Sequence, residues 1–144
     1  MEESILSAIP HTMRNGAPEP RLPNTSNIAF DWVEAEAILM ALDQVGICAS
    51  SGSACTTGSI KPSHVLTAMG VPLGRARGSV RFSLSIDNTH EDVAYLLRHL
   101  PPIIQKLRAA SPLSQPLPPE KTVPPAATPL AVNPSDSSTN PAVV

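Results

Sequence analysis

The segment "SVRFSLSIDNTHEDVAYLLRHL", Ser79–Leu100, contains the clearest strand and the clearest helix start of the chain. Apolar and polar residues alternate over Ser79–Ile86, which predicts a strand with one buried and one polar face. The apolar face carries Val80, Phe82, Leu84 and Ile86, and the polar face carries Arg81, Ser83 and Ser85. Thr89 and Asp92 have the spacing of a capping box, which predicts a helix start. A strand followed by a helix indicates an α/β fold.

The predicted last helix continues beyond this segment, because apolar residues keep recurring at helical spacing. These residues are Val93, Leu96, Leu97, Leu100, Ile103, Ile104 and Leu107. Pro101 and Pro102 lie inside the pattern. Since proline removes an intrahelical hydrogen bond, we expect a kink at this pair.

The N-terminal part of the chain predicts a helix, a loop and a strand, in that order. Residues 1–9 place three apolar side chains on one side of a short helix that ends before Pro10, namely Ile5, Leu6 and Ile9. Residues 11–25 predict a loop, with a turn at Asn15-Gly16 and several prolines after it. The stretch "SNIAF", Ser26–Phe30, alternates and predicts a strand.

The middle of the chain adds two helices and a short strand. Asp31 and Glu34 have capping-box spacing and predict a helix that Gly46 ends. Its apolar face consists of Val33, Ala37, Ile38, Ala41, Leu42 and Val45. Ile47–Ala49 predicts a strand, and a further helix is expected between Pro62 and Gly70. Together these elements predict a small α/β sandwich, a short sheet covered on one face by helices.

The composition changes at Ser111, and residues 111–144 are rich in Pro, Ser, Thr and Ala with almost no charge. Such a segment buries too little apolar surface to offset its chain entropy, so we expect a disordered tail after a folded domain of residues 1–110. An alternative is that "PLPPEKTVPP" within the tail forms a polyproline II segment that docks on a partner.

Charge and composition exclude several classes of protein. The 144-residue chain has a formal net charge of −2 and scattered arginines, whereas a nucleic-acid binder would present a basic face. Its two cysteines, Cys48 and Cys55, fit neither a disulfide framework nor a zinc site. We identify no signal peptide and no apolar run long enough to span a membrane, and we expect a cytoplasmic protein.

Cys55 is the first candidate functional residue. It lies in "ASSGSACTTGS", Ala49–Ser59, where small residues surround a single thiol. Free cysteine usually packs among apolar neighbours, and a reactive thiol instead needs access to its target. A loop of glycine and serine would let the thiol move. The alternative is an ordinary surface loop that contains a cysteine.

Arg81 is the second candidate, because it lies on the polar face of a strand whose other face is core. A guanidinium at such a position can bind a carboxylate through two parallel hydrogen bonds. The alternative is an ordinary surface arginine. We expect Cys48 to be a small buried hydrophobe. His64 could serve Cys55 as a base, although a histidine on a helix surface is the simpler interpretation.

Three stretches resemble the C-terminal third of the group I cysteine desulfurases, NifS- and IscS-like members of the class V aminotransferase family. They are "RLPNTSNIAF", "ASSGSACTTGSIKPSHVL" and "RGSVRFSLS". The resemblance covers residues 1–111 and is greatest to the nitrogen-fixation type, followed by the housekeeping type. It implies the C-terminal small domain of the aspartate aminotransferase architecture, fold type I. The tail has no counterpart in this resemblance.

The resemblance also implies a function for the whole enzyme. Such an enzyme uses pyridoxal 5'-phosphate to convert L-cysteine to L-alanine and leaves a persulfide on the loop cysteine, which matches Cys55. The arginine that binds the substrate carboxylate matches Arg81. The sulfur would serve iron–sulfur cluster assembly on a scaffold protein of the NifU or IscU kind, in nitrogen fixation or housekeeping. The resemblance further implies a homodimer, and Cys55 as a transient iron–sulfur ligand through its persulfide.

One part of the family pattern is missing from the chain. None of its lysines, Lys61, Lys106 and Lys121, matches the motif that attaches the cofactor, and no residue is assigned to cofactor binding. We therefore expect a fragment that begins inside a helix, and we expect that the isolated chain does not release sulfide from cysteine. The alternative is a non-catalytic module that accepts sulfur from a desulfurase or binds an iron–sulfur scaffold protein.

Overall fold

A four-stranded antiparallel sheet organises the protein, of which a computed structural model describes residues 1–51 and 63–112. The strands are β1 (Thr12–Arg14), β2 (Thr25–Phe30), β3 (Ser50–Ser51) and β4 (Ser79–Ser83). Their order in the sheet is β1-β2-β4-β3, so the two longest strands pair at the centre. Because β4 has a neighbour on each side, its residues are held by hydrogen bonds from both directions.

Five helices accompany the sheet in the described part of the chain. They are α1 (Glu2–Ala8), α2 (Ala35–Asp43), α3 (His64–Ala68), α4 (Leu73–Arg77) and α5 (His90–Ala110). Among the described residues, no helix is long and apolar enough to cross a membrane.

Helices α1, α2 and α5 cover one face of the sheet and form the core with it. The fully buried side chains include Ile5, Ile28, Phe30, Ile38, Leu42, Val80, Leu100 and Ile104. Burial of an aliphatic or aromatic side chain of this size contributes about 1.5–3 kcal/mol relative to exposure. The predicted α/β sandwich, with helices on one face of a short sheet, is confirmed.

Helix α5 begins as the sequence predicts. The hydroxyl of Thr89 accepts a hydrogen bond from the backbone N–H of Asp92 (3.2 Å), and the backbone N–H of Thr89 donates to the Asp92 carboxylate (2.8 Å). The hydrogen bond from the Thr89 backbone holds the pKa of Asp92 below its usual value. The helix continues without interruption through Pro101 and Pro102.

The predicted capping box at Asp31 is wrong. Helix α2 begins at Ala35, after Glu34, and no side chain caps it. The intervening Trp32 has a φ of +68°, which lies outside the right-handed helical region, so Trp32 is not part of a helix beginning at Asp31. The Asp31 carboxylate instead faces Arg75, with 3.5 Å between Oδ1 and Nε. A tertiary ion pair has therefore replaced the local cap, and the helix starts four residues later.

Three predicted strand boundaries also differ. The segment predicted as a loop contains β1, whose hydrogen bonds come from β2. Ile47–Ala49 is not a strand, because pairing with β4 begins only at Ser50. Strand β4 ends at Ser83, and Ile86 is 97% exposed rather than core. In each case the distant pairing partner, and not the local pattern, sets the boundary.

The remaining predicted elements are confirmed where the structure describes them. Helix α1 buries Ile5, and Ile9 directly after the helix is also buried. Helix α3 is followed by Gly70 in a left-handed conformation, with a φ of +73°. Gly46, with a φ of +75°, follows α2. Pro62 lies outside the described residues, as does the predicted disordered tail of residues 111–144 from residue 113 onward.

Glu2 ties α1 to the first two strands. Its carboxylate accepts hydrogen bonds from Arg21 (2.7 Å), Arg14 (3.0 Å) and the hydroxyl of Ser26. Burial raises the pKa of Glu2, but these hydrogen bonds outweigh burial and lower it to about 2. A depressed pKa means that the carboxylate contributes stability above the unfolded-state value and loses it as the pH falls through the folded-state value.

We therefore expect Glu2→Gln to lose about 2 kcal/mol of the free energy of unfolding at pH 7, because two arginines lose their shared carboxylate. The difference from the parent chain should shrink between pH 4.5 and pH 2, which urea unfolding at stepped pH values would measure. Glu3→Gln is the matched control, since the Glu3 side chain is 81% exposed. Equal pH profiles for the two variants would contradict this assignment.

Candidate carboxylate-binding site

The polar face of the sheet, opposite the core helices, centres on Arg81. Val80 and Phe82 point into the core, so alternation along β4 places Arg81 on the other face, as the sequence predicts. In the register of the sheet, Asn27 of β2 lies opposite Arg81 on one side, and Ser50 of β3 lies opposite it on the other. Arg81 is thus flanked by two uncharged polar residues.

Within the described residues, one donor of the Arg81 guanidinium lacks a partner. Its Nε is buried and makes no hydrogen bond with any residue in the described part of the chain. Leaving a buried donor unsatisfied costs about 1–3 kcal/mol, and more for a charged group. Nε and a neighbouring Nη form the edge that binds both oxygens of a carboxylate. The arrangement therefore suits a small carboxylate ligand.

A chain of side-chain hydrogen bonds lies beside Arg81. The Nδ2 of Asn15 donates to Oδ1 of Asn27 (2.7 Å) and to the hydroxyl of Ser79 (2.9 Å). The Ser79 hydroxyl donates in turn to the backbone carbonyl of Arg75 (2.7 Å). No local signal in the sequence indicates this network, although Asn27 occupies a polar-face position of β2, out of phase with the apolar Ile28 and Phe30.

The predictions for Cys55, Cys48 and His64 compare differently with the structure. Cys55, in its loop, lies outside the described residues, which resume at Ser63. Cys48 is exposed, so its prediction as a buried hydrophobe is wrong. The side chains on either side of it, Ile47 and Ala49, pack against the core, whereas Cys48 between them is exposed. His64 is exposed on α3, as the simpler interpretation predicts.

The described residues contain no group of three or more His, Cys, Asp or Glu side chains arranged to hold a metal ion. The predicted role of Cys55 as a transient iron–sulfur ligand falls on a residue beyond this part of the chain. The described site instead contains the guanidinium of Arg81 and the side-chain amides of Asn15 and Asn27, which are groups that bind an anion.

Comparison with known proteins identifies the family. Residues 1–96 match the family model of the class V aminotransferases, and the chain belongs to this family. It is 54% identical to the cysteine desulfurase NifS of Azotobacter vinelandii over 112 aligned residues. The aligned region covers 78% of this chain and 28% of that protein. The cysteine desulfurase of Azotobacter chroococcum gives the same identity over the same length. The chain thus spans about 28% of the length of these relatives.

A solved structure agrees with the sequence comparison. The NifS-like protein of Rickettsia africae superposes with a TM-score of 0.60 at 35% identity, over 72% of this chain and 26% of that protein. The described residues therefore form part of a fold type I domain, and the predicted fold class is confirmed.

Class V aminotransferases of this kind are pyridoxal phosphate enzymes. The described residues do not fit that cofactor, because it needs a lysine in a pocket. Lys106, the one lysine among residues 1–51 and 63–112, is exposed on α5, which packs on the opposite face of the sheet from Arg81. Lys61 and Lys121 lie outside the described residues. The site around Arg81 is suited to a substrate carboxylate instead.

Proposed function

We propose that this chain is the part of a cysteine desulfurase that binds the carboxylate of L-cysteine through Arg81 and accepts the substrate's sulfur on Cys55. The observation that carries the proposal is the Nε of Arg81 on the polar face of the sheet, which is buried and has no hydrogen-bond partner among residues 1–51 and 63–112. The identity to cysteine desulfurases supports the reaction class, since this chain and those enzymes share more than half of the aligned residues.

The position of β3 supports a common site for the two residues. Ser50 lies opposite Arg81, and the chain continues from Ser51 to Cys55, four residues later. Four residues span at most about 14 Å. The covalent connection to Cys55 therefore begins beside the arginine that would hold the substrate.

The proposed step transfers sulfur from the substrate to the protein. The thiolate of Cys55 forms a bond to the sulfur of L-cysteine as the substrate's C–S bond breaks. The electron pair of the broken bond remains on the β-carbon, which takes up a proton, so that alanine leaves and Cys55 carries a persulfide. Pyridoxal phosphate supplies the electron sink in such chemistry, and in this proposal it is held by polypeptide outside this chain.

The same proposal includes the domain division and the finer functional assignments. Residues 1–110 form a small domain and residues 111–144 a tail, and the isolated chain releases no sulfide. The whole enzyme is a cytoplasmic homodimer that delivers sulfur to an iron–sulfur scaffold protein in nitrogen fixation or housekeeping. A non-catalytic sulfur acceptor would need Cys55 but would have no use for a buried carboxylate-binding group. Arg81 therefore favours the desulfurase over the binding module.

We expect L-alanine, the product of the proposed reaction, to shift the Nε–Hε NMR resonance of Arg81 in the full chain in a saturable manner. Arg81→Gln should weaken L-alanine binding at least tenfold, because a charge-assisted bidentate contact contributes about 1.5–3 kcal/mol. L-alanine is used as the ligand instead of L-cysteine because it has the same carboxylate but no thiol that could react with the cysteines of the chain.

Two controls make this experiment specific. L-alaninamide has no carboxylate and should leave the Arg81 resonance unchanged. Arg77→Gln removes the same charge from an exposed position at the end of α4 and should bind L-alanine as the parent does. A response of Arg81 to the amide, or unchanged binding in Arg81→Gln, would show that Arg81 does not bind the carboxylate.

A further inference from the structure

One row of polar residues crosses the sheet through Arg81. Asn15, which follows β1, donates its backbone N–H to the carbonyl of Asn27 (2.8 Å). Asn27 lies opposite Arg81, and Arg81 lies opposite Ser50. Residues directly opposite one another on two strands have their Cβ atoms about 4.5–5.5 Å apart. The side chain of Asn27 is therefore the closest uncharged amide to the guanidinium across the β2–β4 pair.

The hydrogen-bond network determines which way the Asn27 amide points. Because the Ser79 hydroxyl donates its one proton to the Arg75 carbonyl, it can only accept from Asn15. The group that Asn15 presents is therefore its NH2, and the atom of Asn27 that receives the second N–H at 2.7 Å must be the oxygen, Oδ1. The NH2 group of Asn27 is left with no hydrogen-bond partner in the described part of the chain.

We infer that Asn27 is a second substrate-binding residue, whose Nδ2 donates to the same carboxylate that Arg81 binds. The inference rests on the proposed function of Arg81. A carboxylate has two oxygens and about four lone-pair sites, so the guanidinium edge leaves acceptor capacity for a further donor. Asn27 supplies that donor from the neighbouring strand. Asn15 and Ser79 are positioning residues, because they act on the ligand only by holding the Asn27 amide.

The role of Asn27 predicts a signal that a merely structural residue would not give. In the full chain, titration with L-alanine should shift the side-chain NH2 resonances of Asn27 together with the Nε resonance of Arg81, with the same dissociation constant. Asn27→Ala and Asn27→Asp should each weaken L-alanine binding about tenfold, since each removes a hydrogen-bond donor to a charged group. In Asn27→Asp the new carboxylate also competes for Arg81.

Asn24→Asp is the matched control, because it adds the same charge at an exposed position just before β2. It should bind L-alanine as the parent chain does. A shift of Arg81 without a shift of Asn27, or parent-like binding by Asn27→Ala, would overturn the role of Asn27 and leave that of Arg81 intact. If Arg81 itself does not respond to L-alanine, the proposed function fails and this inference fails with it. Should an Asn27 variant not fold, the parent chain's Asn27 resonances still decide the question.

Discussion

The Gly78→Ala variant is expected to lose about 3 kcal/mol of the free energy of unfolding. Gly78 has an ordinary φ of −88°, so the reason is steric and not conformational. A Cβ at this position would collide with the backbone oxygen of Phe30 and lie 2.7 Å from that of Val33. Backbone atoms cannot rotate away as a side chain would. The strand β4 would have to separate from β2, where Phe30 donates its N–H to the Gly78 carbonyl at 2.9 Å.

Gly74→Ala provides the matched control for this prediction. Gly74 lies inside α4, and beyond that helix a Cβ there has no neighbour within 4 Å in the described part of the chain. Alanine is the better helix former, so we expect a gain of about 0.5–1 kcal/mol. Urea unfolding followed by circular dichroism would measure both variants. If Gly78→Ala were as stable as Gly74→Ala, the close contact between β4 and the end of β2 would be disproved.

Arg108→Met is expected to cost about 3 kcal/mol and to loosen the start of β1. The guanidinium donates to the backbone carbonyls of Pro10 (2.8 Å), His11 (2.9 Å) and Asp31 (3.1 Å). Hydrogen bonds to a charged donor contribute about 1.5–3 kcal/mol each, less where solvent reaches them. Burial lowers the pKa of Arg108 and the Asp31 carboxylate raises it, and the group remains charged at neutral pH.

The same guanidinium holds two unusual backbone conformations together. His11 and Trp32 both have positive φ values, +56° and +68°, and their rings lie 4.5 Å apart. Such conformations persist only where the surroundings enforce them. We therefore expect amide hydrogen exchange in β1 to accelerate more than in β4.

Arg98→Met is the control for Arg108→Met. Arg98 lies on the same helix, is exposed, and contacts the Tyr95 ring with its guanidinium 5.6 Å from the ring centroid. An exposed cation–π contact is worth about 0.5–1 kcal/mol. Equal losses in the two variants would mean that the three carbonyl contacts of Arg108 contribute little.

Local signals predicted those elements whose hydrogen bonds are themselves local. The capping box at Thr89 and Asp92 closes within three residues, and the structure forms it as predicted. The same spacing at Asp31 failed, because Arg75 and Arg108 bind the Asp31 carboxylate and carbonyl from 44 and 77 residues away in sequence. Strand β1 was missed for a related reason, since three residues at a sheet edge have little pattern of their own.

In the candidate site, too, local patterns predicted what is local in sequence and missed the contacts between distant residues. Alternation along β4 was sufficient to place Arg81 on the polar face. The contacts of Asn15 with Asn27 and Ser79 join residues 12 and 64 positions apart, and nothing in the local sequence indicates such pairs. The resemblance to cysteine desulfurases identified Cys55 by motif, and the placement of that thiol remains a prediction.

Arg81 has no carboxylate neighbour in the described part of the chain, and this has a consequence for the solution in which the protein is studied. None of the ion pairs found among the described residues involves Arg81. Phosphate and sulfate offer a guanidinium the same pair of oxygens as a carboxylate does. Such buffer anions would compete with an amino acid for the site, and added salt would weaken both by screening. The apparent affinity measured for a ligand at Arg81 would then depend on the kind and concentration of the buffer anions as well as on the protein.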